Sequence, residues 1–115
     1  MDTNTNYFDT RALRLRHRYF VNGKHVELSL VGGAMLYSLP RAYLPNLEDY
    51  QAVEVGLIID GELRRPSKLH TSLKKYNHLW EPGNGSVGPY IDMATVRDLM
   101  ADLASLEKKE RSNDI

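Results

Sequence analysis

Cysteine is absent from all 115 positions of this chain. That removes disulfides, thiolate metal or iron–sulfur sites and cysteine nucleophiles, and it is compatible with a reducing cytoplasm, the expected location. No apolar run approaches the roughly 20 residues that a spanning helix requires, so no membrane association is expected. The opening stretch MDTNTNYFDT is polar and acidic, without the features of a secretory signal. Net charge is missing too. Fifteen basic residues offset fifteen acidic ones, and the pI is near 6.9, which weighs against non-specific nucleic-acid binding. Tryptophan occurs once and phenylalanine twice, whereas tyrosine occurs seven times. Tyrosine and arginine are the side chains that protein interfaces favour at their hot spots.

What is present fits one globular domain, with 42% hydrophobic and 26% charged residues in a chain long enough for a single core. The strongest local signal is Asn22-Gly23, which suits a two-residue type I′ turn because both residues tolerate positive φ. With that turn, Val21 faces Lys24, Tyr19 faces Val26, His17 faces Leu28 and Leu15 faces Leu30. Alternation then puts Leu13, Leu15, His17, Tyr19 and Val21 on a core face with Val26, Leu28 and Leu30. The other face carries Arg14, Arg16, Arg18 and Phe20 opposite Val31, Ser29, Glu27 and His25. Arg18 should pair with Glu27, leaving Arg14 and Arg16 without an acidic neighbour across the ladder. This basic stripe reads either as a solvated edge that discourages aggregation or as a partner surface.

A second hairpin is expected where Val53–Ile59 meets Asp60-Gly61 and returns through Arg65 until Pro66, with Val53, Val55, Leu57 and Ile59 in the core. Gly56 there marks a bulge or close packing. Between the hairpins, Ala34–Leu39 is expected to form a short buried strand, and Asn46 to cap a single turn through Tyr50. Leu69, Leu73, Tyr76 and Trp80 recur at helical spacing after Ser67, which predicts a short helix capped by Ser67. Asp92 predicts the N-cap of the terminal helix, with Ile91 and Val96 spaced as a staple across it. Met93, Val96, Leu99, Met100, Leu103 and Leu106 form its apolar stripe. The expected fold is α+β: a small antiparallel sheet of two β-hairpins plus a short strand, packed against a C-terminal helix with a short additional helix. The domain is expected over residues 11–110, between a flexible leader at 1–10 and a frayed tail at 111–115.

Motifs that would carry chemistry are weak. Gly83-Asn84-Gly85-Ser86-Val87-Gly88 matches G-x-G-x-x-G, but the chain ends with the following helix and no βαβ unit can be built. A flexible connector is the expectation. His17 and His25 fall on opposite faces of the hairpin. His70 and His78 sit eight apart, about 80° out of alignment on a helix, so no metal site is expected. His70-Thr71-Ser72 resembles half of a two-histidine phosphoesterase motif, and no second half exists. G-x-S-x-G is absent. No catalysis and no cofactor are expected.

The reading that remains is a non-enzymatic protein–protein interaction module, acting stoichiometrically on a larger protein or nucleoprotein complex, in the manner of a phage or mobile-element anti-defence inhibitor. The candidate partner-binding residues are Arg14, Arg16, Arg18, Phe20, Tyr43, Arg64, Arg65 and Lys68. The alternative is a nucleic-acid binder that sets those basic residues on phosphates. It would use the arginine-rich face of the first hairpin, and whether the two basic segments fall on one face is the informative observation.

Overall fold

The computed structural model describes residues 10–113, and of 110–113 only the backbone. Residues 1–9 of the expected leader and the last two residues of the expected frayed tail lie outside the described residues. The Asn22-Gly23 turn forms with φ of 56° and 72°, joining β1 (Ala12–Val21) to β2 (Lys24–Gly33). The register is the one the turn dictates: Val21 faces Lys24, Arg18 faces Glu27 and Leu15 faces Leu30. Asp60-Gly61 repeats the device, with φ of 48° and 87°, between β3 (Ala52–Ile59) and a short β4 (Glu62–Leu63). The Asp60 carboxylate also accepts a bond from His25 N–H at 3.0 Å, fastening one hairpin tip to the other.

β2 pairs antiparallel with β3, so β1 is the outer strand on one side of the sheet. On the far side β3 pairs with β4 near its end and with β5 (Val87–Asp92) near its start. The fifth strand is thus Val87–Asp92, not Ala34–Leu39. Residues 34–37 turn and bend, and Leu39 makes a single bridge to Ala52. Met35, Tyr37 and Leu39, expected to be buried, are exposed. Tyr50 closes that end of the core: its hydroxyl donates to Ala42 O at 2.7 Å and accepts from Leu44 N–H at 2.9 Å. Asn46 begins the 3₁₀ turn Leu47–Asp49 but makes no side-chain cap.

The core lies on one sheet face. Val26, Leu28, Leu30, Val53, Val55, Leu57 and Ile59 are buried there with Leu69, Leu73, Tyr76, Trp80, Val96, Leu99 and Leu103. The spacing of Leu69, Leu73, Tyr76 and Trp80 does mark a buried face, but the backbone is not one helix. It runs through 3₁₀ segments Pro66–Lys68 and Thr71–Tyr76 into α1 (Asn77–Trp80) and a further 3₁₀ turn, Glu81–Gly83. Ser67 does not cap; its N–H donates to Asn77 Oδ1 at 3.1 Å. His70 caps instead, its Nδ1 accepting from Ser72 N–H at 3.1 Å and lying 2.8 Å from Ser72 Oγ. The His-x-Ser element is therefore a capping turn.

α2 (Met93–Asn113) starts as expected, with Asp92 Oδ1 accepting from Thr95 N–H at 2.7 Å. It runs to Asn113. Its far half reaches the sheet edge, where Glu107 accepts the N–H of Phe20 at 2.6 Å.

Candidate interaction surface

The sheet face turned away from the core carries the arginine row. Across it, one line of residues reads Arg14, Val31, Glu54, and the next reads Arg16, Ser29, Gly56. Among the described residues no helix packs on this side. Ile58 and Ser29 are half-buried there, and Leu63 is exposed. The Gly56 position is close-packed, since a Cβ would meet Leu63 Cδ2 at 3.1 Å.

Pairing within the row differs from the expectation. Glu27 sits between two arginines, at 2.8 Å from Arg16 Nη1 and 3.5 Å from Arg18 Nε. The directly opposed Arg18 holds the longer contact and the diagonal Arg16 the shorter, because a guanidinium spans one strand repeat. Arg16 is therefore not unpaired. Both contacts are solvent-exposed and each stabilises by at most about 1 kcal/mol. Arg14 has no ion-pair or hydrogen-bond partner among the described residues. Phe20, at the end of the row, is exposed and packs its ring edge-on to His25, centroids 5.1 Å apart.

At the opposite corner of the same face stands an aromatic pair that the sequence offers only as two of its seven tyrosines. Tyr37 and Tyr90 have ring centroids 5.7 Å apart and remain 49% and 40% exposed. Glu54 accepts the N–H of Tyr37 at 3.2 Å, and Tyr37 O accepts the N–H of Tyr90 at 3.0 Å. The pair is thus tied to the row that begins at Arg14. Tyr90 holds φ of +53°, in the strand interrupted by a bulge opposite Val53/Val55. A bulky residue in the left-handed region persists only where its surroundings over-determine it. Arg41 lies 5.9 Å from the Tyr37 centroid, and Met35 beside this loop is 68% exposed. The signal available in the sequence was Pro89, which has no N–H to give the ladder just before Tyr90.

Two of the other expected site residues, Arg64 and Lys68, do not join this face. Arg64 follows Leu63 and so belongs to the side of Leu57 and Ile59. With Lys24 and Lys68 it lines a cleft of about 350 Å³ that also holds Asp60 and Glu62. Arg64 is paired with Glu62. Arg65 lies against Gly85, which adopts φ of +79°. Tyr43 is half-buried beneath the Arg11 guanidinium, 4.8 Å from its centroid. Arg64 and Lys68 thus lie on the side of the sheet opposite the arginine row.

The glycine-rich segment is a hydrogen-bonded turn, not a flexible connector. Asn84 N–H donates to Glu81 O, Gly85 N–H to Trp80 O and Ser86 N–H to Gly83 O, at 2.9–3.0 Å. Those amides are engaged and cannot cradle a phosphate.

A second cleft, of about 430 Å³, separates the 3₁₀ segment from α2 and is lined by Lys75, Tyr76, His78, Thr95, Asp98 and Asp102 among others. Three of its polar groups engage one another. The Tyr76 hydroxyl donates to Asp102 Oδ2 at 2.6 Å, and Lys75 Nζ lies 3.0 Å from the same oxygen. Burial and then the bond to Asp102 raise the Tyr76 phenol, so it stays neutral. Burial alone would raise Asp102, but the Tyr76 hydroxyl and Lys75 outweigh it and its pKa is lowered. This is a clasp between two elements. Among the described residues no group of three His, Asp or Glu side chains is placed to hold a metal ion, and no helix is long and apolar enough to cross a membrane.

Fold and surface together define a small α+β domain whose helices cover one sheet face and leave the other to arginine and tyrosine. Compared with known proteins, the chain matches no family model, no curated protein and no solved structure.

Proposed function

We propose that this protein is a non-catalytic interaction module that acts stoichiometrically, covering a surface on a larger protein or nucleoprotein complex with the uncovered face of its sheet. The observation that supports this most is the pairing of the Arg14 row with the exposed, backbone-constrained Tyr37–Tyr90 pair on that one face. Rigid aromatics lose little entropy on binding, and an arginine without an internal partner is available to an acidic group. A nucleic-acid partner is the weaker reading, because Arg64 and Lys68 open on the other side of the sheet and cannot extend the row into one basic track.

The test is affinity capture with the full chain, followed by stoichiometry of the recovered complex. The Arg14→Ala/Arg16→Ala variant and, separately, Tyr90→Gly are expected to lose the complex while keeping the parent's circular dichroism and melting curve. Tyr90→Gly removes the ring but suits the positive φ, so it does not introduce backbone strain. Capture unchanged by both variants would sink the proposal. A mobility shift of DNA or RNA that weakens steeply between low and moderate salt would put nucleic acid in its place.

A further inference from the structure

Among the described residues β1 is a free edge of the sheet, and every second residue along it turns its main-chain N–H and C=O away from β2. Around a two-residue turn, Val21 and Lys24 form the hydrogen-bonded pair. Phe20, Arg18, Arg16 and Arg14 are then the outward-facing residues. Two contacts agree with that phase. Phe20 N–H donates not to β2 but to Glu107 at 2.6 Å. Its cross-strand neighbour His25 turns its own groups to the other side, accepting from Asp60 N–H at 2.8 Å and donating to Asp60 Oδ1 at 3.0 Å. The edge is therefore closed at one end by α2. From Arg18 back to Arg14 no described residue bonds the outward amides, a stretch of about 14 Å.

The side chains along this open stretch specify what could lie beside it. On the outer face the neighbours are Arg14, Arg16 and Arg18, of which Arg16 and Arg18 share the single carboxylate of Glu27. On the core face they are Leu13, Leu15, His17 and Tyr19, all half-buried. A strand added here sets alternate residues against arginines and the intervening ones against the apolar edge of the core. A second copy of the chain does not fit. Two-fold pairing of β1 with itself would bring arginine opposite arginine on the outer face, which is repulsive.

Resting on the interaction-module reading above, the geometry points to β-strand addition. The β1 edge takes up an extended segment of the partner protein in which acidic and apolar residues alternate. The probe is a capped eight-residue peptide alternating glutamate and valine, titrated into the isotope-labelled full chain and followed by amide NMR and hydrogen exchange. The Arg14, Arg16 and Arg18 amides are expected to shift and to exchange at least several-fold more slowly. A peptide of the same composition in two blocks, and one alternating lysine with valine, are expected to do neither. Arg14→Glu, which breaks no hydrogen bond or ion pair among the described residues, is expected to weaken the alternating acidic peptide about tenfold, because the charge reversal removes one attraction and puts a repulsion in its place. Unchanged edge amides at millimolar acidic peptide, or equal shifts with the lysine peptide, would overturn the proposal. Partner capture that survives such a result, and still depends on Tyr90, would leave the module reading standing and remove only this mode of docking.

Discussion

Tyr90 shows how one residue can hold a surface in place. Its φ of +53° is tolerated because Tyr37 O takes its N–H and the neighbouring Ile91 is locked in the core. Gly32 shows the reverse constraint, since a Cβ there would lie 2.6 Å from ring atoms of the buried Tyr50. Gly23 has positive φ but open space around it. Gly32→Ala is therefore expected to destabilise by about 1–3 kcal/mol through overpacking. Gly23→Ala should cost only the left-handed backbone penalty of about 1 kcal/mol. Urea denaturation of the two variants gives the ranking, and an equal loss would contradict it. Tyr50→Phe, which strands the Leu44 N–H and Ala42 O that the hydroxyl serves, is expected to cost about 1–2 kcal/mol in the same assay.

Among the elements, the hairpins and α2 form where local chemistry already points. Asn-Gly and Asp-Gly fix the turns, and Asp92 closes the first turn of α2 through Thr95. The Thr95 side chain and backbone lower the Asp92 pKa, with a smaller contribution from Arg97. Asp92→Ala is expected to destabilise by about 1 kcal/mol near neutral pH. A carboxylate whose folded pKa is depressed contributes its stability above the ordinary range near 3.8 and loses it as pH falls through the folded value. The difference between parent and variant should accordingly shrink below pH 4; a difference that persists in acid would rule out the charged cap. The segment from Pro66 to Gly83 obeyed its apolar spacing but not its helical period. Pro66 and Pro82 frame it, His70 and Asn77 supply competing side-chain bonds, and the chain settles into short 3₁₀ turns.

At the scale of the molecule, α2 is fastened to the rest by two carboxylates, Asp102 on the Tyr76 hydroxyl and Glu107 on the Phe20 amide. The Asp102 clasp gives stability two pH limits. Asp102 is lowered, so its contribution is lost as pH falls through the carboxylate range. Tyr76 is raised, so its contribution is complete below its ordinary value of 10.0 and is lost as pH rises above it. Asp102→Asn is expected to flatten the acid limb and to bring the Tyr76 phenol back toward its ordinary value, though not all the way, because burial is the larger cause of its rise. Chemical denaturation across pH and ultraviolet titration of the tyrosines would read both effects. An unchanged alkaline titration would mean the clasp does not hold in solution.

Sequence alone determined the two hairpin turns, the register of β1 on β2, the division of each strand into a core and an outer side, and the start of α2. Each of these follows from a turn type, a period of two or a cap, all set by residues within a few positions of one another. Tertiary structure decided the rest. That Val87–Asp92 and not Ala34–Leu39 became the fifth strand depended on which segment could reach the free side of β3. That Arg16 shares Glu27 depended on a diagonal reach across the ladder. That Arg64 and Lys68 lie on the opposite side from the arginine row depended on how β4 leaves the sheet. The open edge beside Arg14, Arg16 and Arg18 exists only because β1 ended up outermost. Strand order is a property of non-local pairing, and the loop-closure entropy and burial that select it are not written in any single stretch of the chain.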